Sequence, residues 1–156
     1  MSVAVLEPGD KKPQHDLCLA VCSRDPMSYF AQRTLLNLRS QLWPPNSALL
    51  VVANSYTSPE VVSSLSNSLQ GMSAPGYLVF EPEPGFASVR NCALAWAANC
   101  NAILFLDDDT VIESGWINSM WEQSRQYPSQ VIGSLHVRVP EVPRDQAGID
   151  SLAERV

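Results

Sequence analysis

Short, unbroken apolar runs alternate along this chain with segments in which apolar residues recur every three or four positions. The runs at 17–22, 48–53, 77–80 and 102–106 are too short for typical helices and rich in Leu, Val and Phe, so each is predicted to be a buried strand. Helical spacing separates them. Ala31, Leu35, Leu38 and Leu42 form one stripe, opened by Asp25-Pro26 as cap and first-turn proline and stopped by Trp43-Pro44-Pro45. Ser58-Pro59 repeats the opening signal for a helix through Leu69, which Gly71 ends. A third helix, about 88–99, carries Val89, Ala93, Trp96 and Cys100 on one side. Ser114 is expected to cap a fourth, with Ile117, Met120 and Trp121 inward and Tyr127-Pro128 at its end. Residues 131–139 read as a fifth strand or two short ones, and 149–156 as a final frayed helix.

The strands are apolar throughout instead of alternating, and each is followed by a helical pattern. Together these predict an α/β fold: a mostly parallel sheet of about five strands covered by helices on both faces, Rossmann-like in architecture. Residues 1–16 read as a flexible tail, 17–139 as one domain, and 140–156 as a truncated or loosely ordered segment.

The 156 residues suffice for one domain with a sizeable core, and 46% hydrophobic with 17% charged residues is ordinary for a globular chain. A net charge of −6 and the lack of any basic stripe argue against nucleic acid as a partner. Cys18, Cys22, Cys92 and Cys100 form no CxxC, and His15 and His136 neighbour neither pair, so buried thiols are expected in place of disulfides or structural zinc. There is no secretory signal and no apolar stretch near the ~20 residues of a membrane span, so a cytoplasmic location is the expectation.

Chemistry concentrates at Asp107-Asp108-Asp109, where a buried strand delivers three side chains that cannot stay buried. In open α/β sheets ligands bind beyond the carboxyl ends of strands. Clustered carboxylates repel one another unless a cation or protons neutralise them, and an oxygen-rich cluster suits Mg²⁺ or Mn²⁺. The plain alternative is a solvated Asp-rich turn. If the strand persists, Asp107 and Asp109 share a face and together grip one cation, or one binds metal while the other accepts a sugar hydroxyl. Asp108 then points elsewhere, or becomes the metal ligand if the chain turns early. Just upstream, Gly85-Phe86-Ala87 leads into Ser88-Val89-Arg90-Asn91, joining close backbone approach, a helix N-terminus and a fixed positive charge.

GFASVRNCALAWA, about a dozen residues before AILFLDDDTVIESGW, resembles the GT-A fold glycosyltransferases of family 2. In that family a glycine-containing loop enters an A/S-x-R-N helix, and a strand then ends in a D-x-D-type motif. LCLAVCSRDP resembles the opening strand and its nucleotide-contacting turn, and Leu50-Val51-Val52-Ala53-Asn54-Ser55 the second strand; the resemblance spans roughly 17–133. It implies a nucleotide-diphosphate sugar as donor, Ser23 beside the base, Asn54 near base or ribose, and Arg90 at the nucleotide end. It places Asp107 toward the ribose and Asp109 on the metal, Mn²⁺ or Mg²⁺, with Asp108 a substitute for either. Where the family commonly has Asp, this chain has Ala53, so Ala53→Asp is expected to tighten base recognition. The resemblance also implies that this chain is the nucleotide-binding half. The acceptor site and any general base would then come from further sequence or a partner chain, since nothing marks Glu141 or Asp145 as that base.

Two competing readings remain at this level. ILFLDDDTVI fits the D-x-D-x-[TV] pattern of haloacid-dehalogenase-type phosphatases, with Asp107 as nucleophile and Asp109 as general acid, but no lysine follows Asp109. A non-catalytic or partner-dependent nucleotide-binding fragment is the other. None of Ser23, Ser55 and Ser134 stands in a G-x-S-x-G elbow, and no phosphate-binding P-loop occurs. Trp96, Trp116 and Trp121 are expected as core or as walls of a sugar site.

Overall fold

The computed structural model describes residues 3–7, 9–54, 58–128, 130–133 and 145–153. In chain order these form β1 (Val3–Leu6), β2 (Leu17–Ser23), α1 (Tyr29–Arg39), β3 (Ser47–Asn54), α2 (Pro59–Leu69) and β4 (Gly76–Glu81). There follow α3 (Phe86–Trp96) with a 3₁₀ turn (Ala97–Asn99), β5 (Ala102–Asp107), α4 (Trp116–Gln126) and α5 (Gln146–Ala153). The strands make one sheet in the order β1-β4-β3-β2-β5, with every neighbour parallel.

The unbroken apolar runs have a simple cause: the sheet is covered on both sides. All eight residues of β3 are buried. Leu17, Leu19 and Val21 of β2 and Leu49, Val51 and Ala53 of β3 face one core, closed by Leu35, Leu38, Leu65, Leu69 and Ile117 of α1, α2 and α4. Cys18, Ala20, Leu50 and Val52 face the other, closed by Val89, Ala93 and Trp96 of α3. Burying a Leu or Val side chain contributes about 1.5–3 kcal/mol, so a central strand loaded on both faces anchors the fold. All four cysteines are free thiols.

The elements match the sequence expectations at β2, β3, α2, β4, α3, β5 and α4, to within a few residues at the ends. Several boundaries and roles differ. Residues 3–6 are not tail but an edge strand, paired with Gly76–Val79 of β4. That strand is the fifth of the described sheet. Residues 131–133 form no strand, Val131 is fully exposed, and 134–139 lie outside the described residues.

Helix α1 begins later than Asp25-Pro26 suggests. Ser28 caps it by accepting from the Ala31 N–H at 3.1 Å, while the Asp25 carbonyl accepts from the Ser28 N–H in a turn with Pro26 at its second position. Leu42 lies beyond the helix and is 76% exposed. Ser114 does not cap α4, whose cap position is Gly115 at φ 83°. Instead the Ser114 N–H and hydroxyl both donate to the Asp150 carboxylate, each at 2.8 Å, and tie α5 to the loop before α4.

Candidate functional site

The strand order reverses at β2, which lies between β3 and β5. Such a reversal leaves a crevice at the carboxyl ends of the strands. Ser23, Asn54 and Asp107 are the last residues of β2, β3 and β5, so the topology gathers three sequence-predicted site residues at one edge of the sheet.

The three carboxylates do not share a face. β5 ends at Asp107, and the chain then turns, with the Thr110 N–H donating to the Asp107 carbonyl at 3.2 Å. Asp107 points to the α3 side, where its carboxylate meets the Arg90 guanidinium at 3.0 Å. Asp108 points to the opposite side and accepts a hydrogen bond from the Ser23 hydroxyl. Asp109 is exposed and makes no hydrogen bond or ion pair to a described residue.

Burial pushes the Asp108 carboxyl above its ordinary value, and repulsion from Asp109 and Asp107 adds to that, while the Ser23 hydroxyl works against it. On the α3 side, burial pushes the Cys22 thiol up to about 11, with Arg90 opposing.

Arg90 is held by aromatic contacts as well as charge. Its guanidinium carbon lies 4.1 Å from the centre of the Phe86 ring and 5.2 Å from that of Phe105. A planar guanidinium suits this sandwich and an ammonium does not. Its Nε is buried with no hydrogen-bond partner among the described residues.

Asn54 is buried, at 6% exposure. Its amide NH₂ donates to the carbonyls of Glu81 (3.1 Å) and Glu83 (2.6 Å), and its oxygen accepts from the Gly85 N–H at 3.0 Å. The side chain is therefore committed to the loop before α3, not presented to the crevice. Ala53, expected to mark a lost base contact, is fully buried among the residues facing α1 and α2. Its side chain points into the core, because successive strand residues face opposite sides.

Sequence reading missed the polar residues of α1. The buried Thr34 hydroxyl lies 2.8 Å from the carbonyl of Asp108 and 2.9 Å from that of Thr110, so the two share its one proton. Asn37 exchanges a reciprocal pair with the backbone of Ile112, at 3.0 and 2.8 Å. Together they hold the turn that displays the carboxylates. The signal was available: Thr34 and Asn37 stand on the inward stripe set by Ala31, Leu35 and Leu38, and a polar residue there must find a buried partner.

Trp116 and Trp121 line a cleft of about 1250 Å³ along the outer edge of β5, together with Leu104 and Arg125. The carboxylates do not line it. Trp96 instead belongs to the core under α3.

Among the described residues, no group of three or more His, Cys, Asp or Glu side chains could hold a metal by itself. Mg²⁺ commonly binds through only one or two carboxylates and completes its shell with water and substrate phosphates. Exposed Asp109, with no partner among the described residues, beside half-buried Asp108 fits that arrangement and does not fit an all-protein cage. Among the described residues, no helix is long and apolar enough to cross a membrane.

No curated protein sequence matches the chain closely enough to count as a relative. The family model described as Glycosyl transferase family 2 matches residues 29–151, which takes in the helix bearing Arg90, the three carboxylates and strands β3, β4 and β5. With that match over most of its length, and with its five-stranded parallel α/β sheet of GT-A type, the chain belongs to glycosyl transferase family 2.

Proposed function

We propose that this chain binds a nucleotide-diphosphate sugar at the carboxyl edge of β2, β3 and β5 and takes part in transferring its sugar to an acceptor, with Mn²⁺ or Mg²⁺ as cofactor. The observation that carries the reading is the placement of Arg90, Asp107 and exposed Asp109 at the point where the strand order reverses, in a chain of this family.

Each residue has a role on this reading. Ser23 and Asp107 border the pocket for base and ribose, with Asn54 acting from beneath. The Arg90 guanidinium faces the nucleotide and offsets part of its negative charge. Asp109, with Asp108 beside it, would hold the metal, which when bound would neutralise the diphosphate as it leaves. Breaking the sugar–phosphate bond puts charge on the diphosphate, so groups fixed there favour the transition state over the bound donor. Acceptor recognition is assigned to a partner surface, and the compartment to the cytoplasm.

The test is calorimetric titration with UDP, GDP and dTDP, each with Mn²⁺ and again with EDTA. The reading expects one nucleotide to bind, more tightly with metal. Failure of all three to bind in either condition would sink it.

A further inference from the structure

We infer that Asn54 is a positioning residue: its amide fixes the Gly85 loop and, through that loop, holds Arg90 against Asp107. The inference rests on the donor-site reading only for its consequence on nucleotide binding.

The loop between β4 and α3 reads Glu81-Pro82-Glu83-Pro84-Gly85. Two prolines remove two N–H donors, and among the described residues 82–84 take part in no backbone–backbone hydrogen bond. The loop's internal support is one local bond, the Glu83 N–H to the Glu81 carboxylate at 2.8 Å. Asn54 supplies the rest, gripping the loop at its start, middle and end through Glu81, Glu83 and Gly85. Three bonds use both donors and one acceptor of a single buried amide.

The last of these bonds sets where α3 begins. Gly85 sits at φ 129°, a conformation open to glycine, and occupies the cap position with no side-chain cap. The Asn54 oxygen therefore holds the N–H of the residue on which the helix is hung. Phe86 follows at once and Arg90 one turn later, with the guanidinium 4.1 Å from the Phe86 ring. Asp107, by contrast, is held through the pairing of β5 with β2. If the Asn54 grip is lost, Phe86 and Arg90 shift together while Asp107 stays, and the 3.0 Å contact opens.

The decisive measurement is the Arg90 Nε–H signal in a ¹H–¹⁵N NMR spectrum, identified by its loss in Arg90→Lys. Sandwiched between two rings and buried, this proton should be ring-current shifted and slow to exchange. In Asn54→Ala the shift should collapse toward that of an exposed arginine, with exchange faster by roughly tenfold or more. Asn54→Asp keeps the acceptor for Gly85 but loses both donations, so it should fall between the two. It also decides the matter if the alanine variant does not fold. An unchanged Arg90 signal in either folded variant overturns the inference.

Nucleotide titration of the same variants separates the two ideas. If the unsubstituted protein binds no nucleotide, the donor-site reading fails while the Arg90 signal still decides the positioning role. A collapsed Arg90 signal with undiminished nucleotide affinity would uphold the positioning role and remove Arg90 from the donor site.

Discussion

Ser23 and Asp108, 85 positions apart, are joined by a hydrogen bond from the hydroxyl of the first to the carboxylate of the second. The bond ties the end of β2 to the turn after β5. Beside it, on the opposite face, Arg90 meets Asp107. The three consecutive carboxylates thus have three surroundings: one paired with a cation, one half-buried under a hydroxyl, one open to solvent.

The buried member carries a pH signature. The folded-state pKa of Asp108 lies above its ordinary 3.8, so folding favours its protonated form. Any stability it contributes is full below the unfolded value and is lost as pH rises through the folded one. Asp108→Asn should therefore be more stable than the unsubstituted protein at pH 7, by roughly 0.5 kcal/mol, kept small by solvent screening of a half-exposed group. The gap should close in the acid range. Urea midpoints at pH 7 and pH 4 test this, and a less stable variant at pH 7 would contradict it.

Asp109 should behave in the opposite way. Because its carboxylate is exposed and bonded to no described residue, Asp109→Asn should leave the thermal midpoint unchanged. It should, however, erase the difference between Mn²⁺ and EDTA titrations of nucleotide. A persisting metal increment would remove Asp109 from the metal site.

Ala53→Asp is expected to destabilise the protein, reversing the gain in base recognition anticipated from sequence. The position is fully buried among Leu and Val side chains, and an unpaired carboxylate there should cost about 3 kcal/mol or more. Equilibrium unfolding measures the loss. Retained stability with tighter nucleotide binding would show that this strand end opens to the site.

Thr34→Val keeps the shape of a buried side chain while deleting the hydroxyl that reaches the Asp108 and Thr110 carbonyls. A loss of about 1–2 kcal/mol is expected from the orphaned carbonyls, together with weaker metal-dependent nucleotide binding as the turn loosens. Destabilisation without any change in binding would confine Thr34 to a structural part.

Arg90→Lys preserves charge but not the flat surface between Phe86 and Phe105. A loss of about 1 kcal/mol is expected from the stacking, with little from the partly exposed ion pair. Pairing it with Phe86→Ala in a double-mutant cycle should give clearly less than the sum of the single losses. Strict additivity would mean that the ring contact contributes nothing.

The chain's own pattern determined the parallel sheet, because a strand buried on both faces is apolar along its central run, as 17–22 of β2 and 48–53 of β3 are. The capping of α2 was equally local: the Ser58 hydroxyl accepts from the Val61 N–H, with proline in the first turn. The pairing of the Arg90-Asn91 motif with the three carboxylates also carried the resemblance to the family, which the match over residues 29–151 bears out. Other features were decided only by tertiary structure. The four residues of β1 have no periodicity to read, and they are a strand because the open edge of β4 offers unpaired backbone groups. The family resemblance put Asn54 near the base or ribose. Its amide instead satisfies a loop whose prolines cannot bond to themselves, a need visible only once β3 and that loop lie side by side. The directions of Asp107, Asp108 and Asp109 turn on where β5 stops, and that is set by Thr34 and Asn37 on a helix more than seventy residues earlier. Local propensity describes single elements; which polar groups must satisfy one another is settled by which elements meet.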